Sequence, residues 1–140
     1  MLINFGGTFI DSAYAAGSAQ VREHVVNWLA ENNLSRRDPS AQKYIQDYTA
    51  LHNPFPTVAR VADHFDHVVQ LVGIDHVGLG SDFDGVGDSL PTGLKDVSMF
   101  PNLFAELLKR GYSKEDLEKI GYKNIFRVWR AVAEYAEKQP

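Results

Sequence analysis

GIDHVGLGSDFDG, residues 73–85, is the stretch on which the reading of the chain turns. Its apolar run from about His76 to Gly80 has the character of a buried strand. It opens onto two carboxylates, Asp82 and Asp84, set around Phe83 and closed by Gly85. Three readings suit such a segment: a catalytic loop, a cation site, or a strand end whose carboxylates cap nearby N–H groups. Immediately upstream, Val58, Val61, Ala62, Phe65, Val68, Val69 and Val72 recur at helical spacing, which predicts a helix capped by Thr57 and ended by Gly73.

A second apolar run of strand formers, LINF at residues 2–5, stops at Gly6-Gly7. Two strands with helices between them should run parallel through a right-handed crossover, so that both C-terminal ends emerge on one side. Gly6-Gly7 and Ser81 to Gly85 are thus expected at one mouth, with Asp75 and His76 at the opposite rim. Helices are expected from about Ala13 to Asn32, with an interruption near Gly17, and from Ser40, as cap, to about Leu51. Residues 86–96 read as a loop and FPNLFAELLKRG (100–111) as an amphipathic helix; Ser113 and Asp116 resemble a capping box, and 122–137 form a last helix with Ile125, Val128, Trp129 and Val132 turned inward. Two parallel strands do not make a self-sufficient α/β core, since such sheets are normally buried on both faces among several neighbours. The chain reads as the tail of a larger α/β unit.

Composition narrows the functions. The 140 residues are 44% hydrophobic and carry a formal net charge of -4 with dispersed Lys and Arg, which argues against a nucleic-acid partner. No apolar run reaches the length of a membrane span, and MLINFGGTFIDS lacks the features of an export signal, which leaves the compartment unknown. With no cysteine in the chain, disulfides, zinc ribbons and thiol nucleophiles are excluded, and any metal would be held by His, Asp or Glu.

LINFGGTFI, TVARVADHFDHVVQLVGIDHVGLGSDFDG and FPNLFAELLKRGYSKEDLEKIGYKNIFRVWR together resemble the C-terminal third of the membrane (renal-type) dipeptidases, zinc peptidases of the amidohydrolase-like barrel class. The resemblance is weakest over residues 11–53. It implies a (β/α)8 barrel of TIM type in which LINF is the seventh strand and HVGLG the eighth, with the chemistry at the C-terminal strand ends. It further implies hydrolysis of dipeptides by a hydroxide bridging two zinc ions. The family's metal ligands, an HxD pair, a bridging Glu and two His, all lie upstream of the matched segment, so no metal ligand is expected here.

By the same resemblance, Asp82 is the catalytic candidate, placed to contact the substrate and to handle the proton of the leaving amine. Gly6 and Phe9 fall where mammalian members carry pocket tyrosines, and with Gly85 they complete the expected substrate-binding set. Asp84 and Phe83 are expected to shape the loop. The DHFDH motif places His64 and His67 on one helix face, but that helix packs outside the barrel, so a structural role is expected. His24 and His52 are expected to be exposed, His76 to be a hydrogen-bonded residue at a strand start, and Trp28, Phe65, Phe104, Phe126 and Trp129 to be core. The expectation is one partial domain, residues 1–140, inactive by itself. Two alternatives stand beside it: a subunit of a split enzyme, and a non-catalytic remnant or interaction module that self-associates.

Overall fold

The computed structural model describes residues 1–86 and 89–138; residues 87 and 88 of the expected 86–96 loop lie outside them. The order is β1 (Leu2–Asn4), α1 (Gly7–Ile10), α2 (Ser12–Glu31), α3 (Pro39–His52), α4 (Val58–Val72), β2 (Gly78–Ser81), α5 (Phe100–Lys109), α6 (Lys114–Glu118) and α7 (Asn124–Glu137). Among the described residues the strands form one two-stranded parallel sheet, so the chain is a mixed α/β structure made mostly of helices.

Each helix boundary has a local cause. Asp11 opens α2 by accepting hydrogen bonds from the Ala13 and Tyr14 amides at 2.9 and 3.0 Å. The helix then runs unbroken past Gly17, where the expected interruption does not occur: the glycine lets Asn53 pack against the helix, and an added Cβ would lie 2.3 Å from Asn53 Oδ1. Asp38, rather than Ser40, holds the cap position of α3, with Pro39 in the first turn, where a missing N–H costs nothing. Thr57 does stand at the cap of α4, but its side chain makes no capping bond. Ser113 and Asp116 form the expected capping box.

The core lies between the sheet and helices α4 and α5. Ile3, Phe5, Val61, Ala62, Phe65, Val68, Val77, Leu103, Leu107 and Ile120 are buried in it. A smaller cluster of Val25, Leu29 and Ala41 joins α2 to α3. Between β2 and α4 the chain makes a 3-10 turn, Ile74–His76, so β2 begins at Gly78 and His76 lies outside it. The largest departure from expectation is in α7. Trp129 is 68% exposed and Val132 62%, and Ile125, Phe126 and Val128 are exposed as well. Their periodicity is that of a buried face, but no described element covers it.

Candidate functional site

The site is built where the two strands end. Leu2 pairs with Gly78 and Ile3 with Leu79, after which the register slips and Asn4 pairs with Ser81. Such a slip bends the strand and re-aims the residues that follow. Phe5 N–H donates to the Ser81 carbonyl at 3.0 Å, the last rung before the chain turns away. Ser81 and Asp82 both take left-handed backbone conformations, with φ of 41° and 63°. Each costs on the order of 1 kcal/mol for a residue with a Cβ, and such strain persists only where surrounding packing over-determines it.

Phe83 supplies that packing. Its ring meets Phe5 edge-on at 5.8 Å and lies 5.4 Å from the ring of Phe100 at the start of α5. With Phe83 held inward, Asp82 is exposed. Gly85, at φ 83° with no atom within 4 Å of an added Cβ, turns the loop, and Asp84 is exposed.

Asn4 ties the two strand ends together. Its Nδ2 donates to Asp82 Oδ2 at 2.7 Å, and its Oδ1 accepts from Gly6 N–H at 2.6 Å. An added Cβ at Gly6 would lie 3.1 Å from that Oδ1 and 3.0 Å from the Phe9 ring, which is itself 69% exposed. Asn4 therefore links Asp82 to Gly6, whose carbonyl accepts from Phe9 N–H at 2.9 Å, whereas Gly85 serves the turn. Asn4 was not among the residues expected at the site. Its signal in the sequence is faint: one polar residue in the apolar run LINF, at a place where a polar side chain needs a partner.

The remaining candidates sit elsewhere. His64 Nε2 donates to the Ile10 carbonyl at 2.7 Å, while Asp63 and Asp66 of the same motif accept from Arg110 Nη1 at 2.8 and 2.6 Å. Burial opposes the Arg110 charge, but its bonds to Asp63, Asp66 and Glu106 outweigh this and raise its pKa above the usual arginine value. Burial, followed by donation to Asp66, pushes the Tyr112 phenol up. These groups tie α4 to α5 and the residues after it. His24 corrects the expectation of an exposed, unpartnered ring. It is partly buried, stacks on Tyr48 at 3.9 Å and bonds Tyr44 Oη at 2.8 Å, and His52 stacks on the other part of the column at 3.9 Å from Tyr48. A cleft of about 540 Å³ is lined by Tyr14, Ile45 and Phe55 among others, and includes neither Asp82 nor Asn4.

With this geometry in place, comparison with known proteins is decisive. Residues 1–140 match the membrane dipeptidase family, peptidase family M19, over their whole length. The chain belongs to that family. Dipeptidase tcpJ of Claviceps purpurea is 49% identical over 119 residues, covering 85% of this chain and 27% of that protein. Dipeptidase 3 of Mus musculus is 43% identical over 84 residues, 60% of this chain and 17% of the mouse protein. The crystal structure of the probable dipeptidase PvdM from Pseudomonas aeruginosa superposes with a TM-score of 0.52 at 40% identity, covering 64% of this chain and 21% of that one. The chain thus spans between 17% and 27% of the length of these relatives.

Membership in the family raises the question of metal. Among the described residues, no group of three or more His, Asp or Glu side chains is placed to hold a metal ion. His64, for which a structural role is expected, spends its Nε2 on a backbone carbonyl. Among the described residues, the donor set does not fit a two-zinc cage.

Proposed function

We propose that residues 1–140 are one partial domain, the C-terminal portion of a (β/α)8 barrel of a zinc-dependent dipeptidase. In this reading β1 and β2 are its last two strands. Asp82 is the observation that carries it: in a chain of the dipeptidase family, an exposed carboxylate stands at the C-terminal end of a parallel pair, which is where such barrels keep their chemistry. Asp82 contacts a dipeptide held at the mouth: as a water oxygen bonds to the peptide carbonyl carbon, Asp82 accepts the water's proton and passes it to the leaving amine nitrogen as the C–N bond breaks, releasing the two amino acids. Gly6 leaves room beside Asn4, and the exposed ring of Phe9 offers the substrate an apolar wall. No zinc ligand is assigned to this chain, and the cage belongs to residues beyond it.

Alone, the chain is inactive in this reading; it acts when the rest of the barrel is supplied in the same polypeptide or by a partner subunit. The split-subunit form draws support from the strands, which among the described residues pair only with each other, and from the uncovered face of α7. The test is a dipeptide hydrolysis assay with zinc present. The chain by itself should show no turnover, and the completed barrel should hydrolyse dipeptides at a rate that Asp82→Ala lowers by roughly 10²–10⁴-fold. Zinc-dependent turnover by the isolated chain would overturn the partial-domain reading, and an unimpaired Asp82→Ala barrel would overturn the role of Asp82.

A further inference from the structure

We infer that Asn4 is a positioning residue for Asp82, an inference that rests on the proposed role of Asp82 and adds to it. The orientation of the Asn4 amide is not arbitrary. Gly6 N–H can only donate, so the atom facing it at 2.6 Å is the amide oxygen. The nitrogen then faces Asp82, whose Oδ2 accepts from it at 2.7 Å. One side chain is thereby locked at both ends, by a backbone amide of the β1–α1 connection and by the carboxylate at the end of β2.

This lock answers a problem that the backbone creates. Ser81 and Asp82 stand in successive left-handed conformations, and Asp82 is exposed, so packing alone leaves its carboxylate several staggered rotamers. Phe83 anchors the loop between Phe5 and Phe100, but it does not touch the orientation of the Asp82 side chain. The Asn4 donor occupies one lone pair of Oδ2 and leaves Oδ1 for a proton in transit. The register slip between Ile3 and Asn4 brings Asn4 opposite Ser81, one residue from its acceptor. Gly6 belongs to the same device, since an added Cβ there would crowd Asn4 Oδ1 at 3.1 Å.

Asn4→Asp separates positioning from a merely structural role. The variant is isosteric and still accepts from Gly6 N–H, so the turn survives, but it offers Asp82 a like charge instead of a donor. In the completed, active barrel, Asn4→Asp should lower kcat on the order of 10- to 100-fold with KM within about twofold, as expected for a misplaced reacting group. Asn4→Ala should do the same to a smaller degree. In the 140-residue chain, which needs no activity for this readout, Asn4→Asp should lower Tm. The crossed pair Asn4→Asp with Asp82→Asn should restore it, because the amide is then on the β2 side and can donate to the carboxylate on the β1 side. A wild-type kcat for Asn4→Asp in a barrel that Asp82→Ala inactivates would overturn the inference while leaving the role of Asp82 standing. Should Asp82→Ala remain active, the role of Asp82 fails instead. Should the barrel prove inactive altogether, equal Tm values for wild type, Asn4→Asp and the crossed pair would still overturn the Asn4–Asp82 lock.

Discussion

Asp82 and Asn4 show how differently two residues of one site can be read. Asp82 stands in a motif whose alternation of Gly, Phe and carboxylate is visible in the chain, and its place at a strand end follows from the run before it. The role inferred for Asn4 rests on a partner 78 positions away and on a one-residue slip in pairing, neither of which local pattern reports. Gly80, just below the pair, is a further case. An added Cβ there would lie 2.8 Å from the Ile3 carbonyl oxygen and 3.0 Å from the Leu2 backbone carbon, so β1 cannot sit at its present distance beside any larger residue. Gly80→Ala is expected to destabilise the chain by about 1–3 kcal/mol, the usual range for overpacking, and to lower Tm in a thermal melt. An unchanged Tm would show that the strands can separate there without cost.

Among the elements, helices whose apolar stripe meets the core are readable from spacing, and α4 is the clearest, with Val61, Ala62, Phe65 and Val68 all buried. The start of α2 is less so, because Asp11 acts both within its own turn and across the fold. Its carboxylate accepts from the Tyr14 and Ala13 amides and bridges to Arg60 of α4 at 3.0 Å. The Tyr14 amide bond is the main influence holding the Asp11 carboxyl below its ordinary range, with burial opposing and Arg60 assisting. A carboxyl lowered in the folded state adds stability that is fully present above the unfolded value of about 3.9 and is lost as pH falls through the folded value. Stability measured by denaturant titration should therefore decline below about pH 4, and Asp11→Ala should flatten that decline while costing about 1–2 kcal/mol at pH 7 through the lost cap. A variant whose acid decline matches wild type would locate the acid sensitivity elsewhere.

For the molecule as a whole, α7 carries the lesson. Ile125, Val128, Trp129 and Val132 have the spacing of a buried face and are exposed. The apolar pattern is real, but burial requires a neighbour, and no described element supplies one. Together with strand edges that, among the described residues, pair on one side only, this surface predicts self-association of the isolated chain. Sedimentation velocity should show species larger than a 140-residue monomer, and Trp129→Glu with Val132→Glu should shift them towards monomer. A compact, monodisperse wild-type monomer would count against both the self-association and the incomplete-barrel reading.

The helical segments, the two strands and the acidic loop could be taken from the order of residues, because each rests on short-range periodicity or on a contiguous motif; the parallel sense followed from the crossover rule, and the family from a resemblance carried by three separate blocks. The Asn4 bridge, the register slip, the left-handed pair Ser81–Asp82, the aromatic column around His24 and the bare face of α7 were decided only by tertiary structure. Each depends on which distant backbone or side chain arrives alongside, and a hydrogen bond, a steric limit or a missing neighbour exists only once the chain has closed.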